Sequence, residues 1–72
     1  MKVIRINNTI VSLENVQSVE VGPNVNSIRV LYTHGDLIPS TAAFRPHCTT
    51  IDYIKDVDKT MNEIFEILSK NA

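Results

Sequence analysis

Two neighbouring residues, His47 and Cys48, are the pair in this sequence whose types could do chemistry, with His34 thirteen positions earlier. A thiol beside an imidazole suggests a nucleophile and its base, or two metal ligands. Neither reading is completed by its surroundings. Adjacent residues on an extended chain project to opposite faces, so His47 and Cys48 do not share a proton. No Gly-rich cradle or oxyanion donor set accompanies them. A structural zinc site wants four ligands at spacings such as C-x2-C or H-x3-H, and neither spacing occurs. The acids Asp52, Asp56 and Asp58 lack the order of a calcium loop. Asp56 and Asp58 are accounted for as a helix cap and a helix-dipole partner. We therefore expect no catalytic residue, no metal ligand and no cofactor. A metal-binding or thiol-dependent protein using His34, His47 and Cys48 is kept as an alternative. Cys48 itself reads as a small semi-buried apolar residue.

Phe44 and Arg45, held between Ala43 and Pro46, are of a different kind. Phe and Arg are frequent binding anchors, and a restrained loop loses less entropy on binding. Together with His47 they mark the segment 37–48 as a candidate binding loop; the alternative is that Leu37, Ile38 and Phe44 fold back to cap the core. Leu31 is the second apolar candidate. With Val3 and Val16 it falls on the side of the strands away from the core, and Arg5 and Arg29 would rim that face.

Those residues must be positioned by short strands and one helix. Val57, Met61, Ile64, Phe65 and Leu68 recur at helical spacing and predict an amphipathic helix from Asp56 to Lys70. Before it, alternation predicts strands at 2–6, 16–21, 27–32 and 49–55. Asn7-Asn8-Thr9, Gly22-Pro23-Asn24 and Thr33-His34-Gly35-Asp36 read as turns, with Gly35 at positive φ. Ile10 and Val11 form a short extended piece, and Leu13 plugs one end of the core. Pairing Val21 with Ile28 and Val19 with Val30 keeps both apolar sets on one side, and sets Glu20 opposite Arg29. Pro39 and Pro46 lack amide donors, so neither belongs in a central strand. The fold class is α+β: an antiparallel meander of about four strands, with the helix packed across one face. Ile4, Ile6, Val19, Val21, Ile28, Val30, Met61, Ile64, Phe65 and Leu68 are the expected core.

Seventy-two residues make one small domain, spanning 1–72. A core of this size is marginal without a disulfide, a metal or a partner subunit. The single cysteine excludes an internal disulfide and suits a reducing compartment. A homo-oligomer or another protein partner is therefore expected. The formal charge is −1, from seven Lys/Arg against eight Asp/Glu, and no segment is basic. That argues against nucleic acid; an accessory protein using Arg5, Arg29 and Arg45 is the alternative. No apolar run is long enough to span a membrane, and Arg5 with Asn7-Asn8 interrupts any leader-like segment. Met1 reads as a start, and a cytoplasmic location is the expectation.

The order of features resembles small bacterial and phage-borne proteins in which a β-meander carries one C-terminal helix. The resemblance rests on Ser12–Glu20, on Ile28–Asp36 and on the helix Val57–Leu68. It implies the fold and no activity. Residues 37–48 depart from it. The function expected is a non-enzymatic, self-associating interaction module that uses this loop or the outer sheet face.

Overall fold

The computed structural model describes residues 2–70; Met1, read above as a start, lies outside them. Five strands precede one helix: β1 (Val3–Ile6), β2 (Thr9–Ser12), β3 (Val16–Val21), β4 (Ile28–Ile38), β5 (Ala43–Ile51) and α1 (Val57–Lys70). The class is α+β. The strands form two antiparallel sheets, a β1–β2 hairpin and a three-stranded sheet of order β3-β4-β5.

Asn7 and Asn8 close the first hairpin with φ of 48° and 66°. Two successive left-handed residues make the primed turn that matches strand twist, and Asn tolerates that conformation. The register Ile4↔Val11 and Ile6↔Thr9 turns Ile4, Ile6 and Val11 to one side, and all three are buried with Leu13.

β3 and β4 pair as the alternation predicts: Val21↔Ile28, Glu20↔Arg29 and Val19↔Val30. An extra residue, Gln17, interrupts the register between Val16 and Ser18. A bulge moves every residue beyond it to the opposite face. Val16 is thereby half-buried against the core instead of lying on the outer face. The next turn is built by Ser27, whose Oγ donates to the Asn24 carbonyl at 2.8 Å and accepts from the Asn24 amide at 3.1 Å.

The larger departure follows Tyr32. Residues 33–36 are not a turn, and 37–48 is not an irregular loop. β4 continues to Ile38, turns through Pro39–Ala42, and returns as β5 from Ala43. Thr41 N donates to the Ile38 carbonyl at 3.2 Å, and Ala42 has φ 53°. Pro46 fits because β5 is the edge strand, where a missing amide costs little. Gly35 pairs with Pro46 and has no positive φ. Between Leu31↔Cys48 and Gly35↔Pro46, β4 spends three residues where β5 spends one.

The core contains Ile4, Ile6, Val11, Leu13, Ile28, Val30, Tyr32, Ile51, Ile54 and Ile64, with Val16, Val19, Val57, Met61, Ile67 and Leu68 packed against it. Tyr32 joins the two sheets by donating its hydroxyl to the Ser12 carbonyl at 2.7 Å. Asp56 Oδ1 accepts from Lys59 N at 3.1 Å, an N-cap that starts the helix. Val21 and Phe65, expected in the core, are 66% and 65% exposed. Val21 ends an edge strand. Phe65 lies about 100° around the helix from the buried Ile64. Ile67, on the other side of the stripe, takes the packing position instead.

The final strand ends at Ile51, earlier than the alternation predicts. Tyr53 has φ 59°, and this turns the chain so that Ile51 and Ile54 are both buried while Tyr53 is 89% exposed. Asn7 Nδ2 holds the corner, donating to the carbonyls of Asp52 and Tyr53, each at 3.0 Å. Ile54 N donates to the Asn26 carbonyl at 2.9 Å.

Candidate interaction face

Alternation along β5 decides which candidates share a face. Ile51 and Thr49 turn toward the helix side. Thr50, Cys48, Pro46 and Phe44 therefore turn away from it. Their β4 partners are Arg29, Leu31, Gly35 and Leu37. The uncovered face of the sheet thus carries Leu31, Cys48, Pro46, Phe44 and Leu37 in one continuous row. Leu37 and Phe44 stand directly opposite each other, 66% and 56% exposed. Arg29 sits at the inner end, where Glu20 Oε1 accepts from its Nε at 2.9 Å and also pairs with its Nη2. That hydrogen bond, and then the carboxylate's charge, raises the Arg29 pKa above its ordinary value.

The outer part of this row lies on an arm. β3 begins at Val16, opposite Tyr32, so β4 beyond Thr33 has only β5 beside it. The arm stretches the molecule to 40 Å on its long axis and gives a radius of gyration of 13.1 Å. A compact chain of this length has about 11 Å.

The candidate residues divide between surfaces. Arg29, Leu31 and Phe44 share the uncovered face, Arg29 at its inner end and Phe44 near the arm tip. Arg45 and His47 lie on the opposite face of the arm with Asp36. There His47 Nε2 is 3.2 Å from Asp36 Oδ2, and the rings of His34 and His47 meet edge-on with centroids 5.0 Å apart. Arg5 belongs to the other sheet, bonded to Asn8 Oδ1 at 2.5 Å. Arg5, Arg29 and Arg45 thus form no single basic surface. Cys48 is exposed beside Leu31, contrary to the expected semi-buried position. Among the described residues, no three His, Cys, Asp or Glu side chains are grouped to hold a metal ion. No described helix is long and apolar enough to cross a membrane.

Residue typing overlooked Leu37, Pro46 and Cys48 as parts of the face. The signal was present: Phe44, Pro46, Cys48 and Thr50 alternate with period two. The two prolines obscured it. Phe65, expected in the core, and Tyr53 are two further exposed aromatics outside the candidate set.

A second apolar surface lies on the helix side. Val16, Val19, Met61, Ile64, Phe65 and Leu68 line a groove of about 330 Å³ between β3 and α1. A more polar groove of about 530 Å³ lies by the helix start, with Arg5, Lys55 and Lys59 at its rim beside Asp56 and Glu63. Compared with known proteins, the chain matches no family model, no curated sequence and no solved structure.

Proposed function

We propose that this chain is a non-enzymatic interaction module that self-associates through the β4–β5 arm. The observation that carries the reading is the pairing of Leu37 with Phe44, both exposed among the described residues, on the apolar side of the arm. An exposed apolar pair on a projecting two-stranded arm is unfavourable for an isolated molecule, and burial of an aromatic side chain removes 150–250 Å² from water. Leu31, Pro46 and Cys48 extend the surface toward the body. Rigid strand backbone beneath it limits the entropy lost on association.

Light scattering on size-separated protein tests this. The wild type is expected at the mass of a dimer or higher oligomer, and Leu37→Ser/Phe44→Ser at monomer mass with unchanged circular dichroism. A wild type that stays monomeric at hundreds of micromolar overturns the reading, as does a double variant that associates like wild type.

A further inference from the structure

We infer that the arm of one copy docks into the β3–α1 groove of a second copy, and that the contact is reciprocal. This rests on the self-association proposed above and names its receiving surface. The groove and the arm tip each present an exposed phenyl ring beside further apolar side chains. Phe65 at the groove is 65% exposed, as Leu37 and Phe44 are at the tip. The groove is lined by Val16, Val19, Met61 and Leu68, with Gln17 and Ser18 as its polar part, and its aliphatic and thioether groups accept a phenyl ring through dispersion and S–aromatic contact.

The two surfaces adjoin at one end of the molecule. Val16, on the groove wall, is paired with Tyr32, where β4 leaves the body to become the arm. A two-fold axis beside that junction lets each arm lie along the other copy's groove. The strand order leaves the outer edge of β3 without a neighbour among the described residues, and likewise the β3-side edge of β4 beyond Thr33. Such edges add hydrogen bonds across an interface by strand addition.

The amount of exposed surface fits a second copy. The chain exposes 5209 Å² at 8.1 kDa. A compact monomer of that mass exposes about 4500 Å². The excess, about 700 Å², is close to the roughly 800 Å² that each partner contributes to a stable interface.

Complementation separates this geometry from a face-to-face dimer. Phe44→Ser disables the arm, and Phe65→Ser disables the groove; both residues are exposed, so each variant is expected to keep the wild-type fold by circular dichroism. Each alone is expected to be monomeric. Mixing them is expected to restore a dimer, because one intact arm then meets one intact groove. Light scattering on the mixture, compared with each variant alone at the same total concentration, reads the result. If Phe65→Ser dimerises like wild type while Phe44→Ser does not, the groove assignment is overturned and the self-association reading stands. If both variants dimerise, that reading falls as well. If the mixture stays monomeric while wild type is dimeric, the arm-to-groove contact is overturned.

Discussion

Gly35 lies opposite Pro46 so closely that a β-carbon on Gly35 would stand 2.1 Å from the Arg45 carbonyl oxygen and 2.6 Å from the Pro46 Cα. Both contacts are to backbone, which cannot rotate away. This glycine serves close approach between strands at the point where β4 carries extra residues, and the ladder beyond it forms the arm.

Gly35→Ala should therefore loosen the arm and leave the body folded. We expect a loss of about 1–3 kcal/mol, the usual range for overpacking, together with faster amide exchange at residues 36–45. Exchange slowed or unchanged there, with an unchanged unfolding midpoint, would show that the strands part easily at this position.

Asn7 has two roles, and two substitutions separate them. Asn7→Gly keeps the left-handed turn and removes the bonds to the carbonyls of Asp52 and Tyr53. Asn7→Ala removes the bonds and also strains the turn. Denaturant titration should give a loss of about 1 kcal/mol for Gly and about 2 kcal/mol for Ala. Equal losses would mean that the left-handed φ adds nothing.

Ile64 and Phe65 are neighbours with opposite surroundings, 1% and 65% exposed. Ile64→Ala should cost about 2–5 kcal/mol, enough to unfold much of a domain this small. Phe65→Ala should change monomer stability by no more than about 0.5 kcal/mol. Similar costs for both, measured at a concentration where the protein is monomeric, would contradict the helix orientation.

Tyr53 holds φ 59° with its side chain in solvent. Tyr53→Gly relieves the left-handed strain, partly offset by a looser unfolded chain, and should stabilise by roughly 0.5 kcal/mol. A thermal midpoint lower than wild type would show that the phenol ring supports the fold.

Much of the fold is legible where one local signal acts without a competitor. The β3–β4 register is readable because only one pairing keeps Val19, Ile28 and Val30 together, and that pairing also opposes Glu20 to Arg29. The helix start is readable because Asp56 precedes an apolar stripe. The candidate face is half legible: Phe44, Leu31 and Arg29 are recognisable by type, but not as members of one surface. Pro39 and Pro46 look like evidence against strands. Only the strand order makes β5 an edge strand, where a proline is tolerated. Gln17 is likewise invisible locally, since a bulge is specified by what the partner strand lacks.

By itself, then, the sequence determined the α+β class, the first turn through Asn7 and Asn8, the central hairpin register and the helix. These depend on neighbours within a few residues or on one alternating pair of strands. Tertiary structure decided that the strands divide into two sheets, that Val16 turns inward, that Phe65 turns outward, and that 37–48 forms part of a projecting arm. Each of these depends on which distant element lies alongside. Burial is a property of the assembled layers, and the same apolar residue is core or contact surface according to whether the helix reaches it.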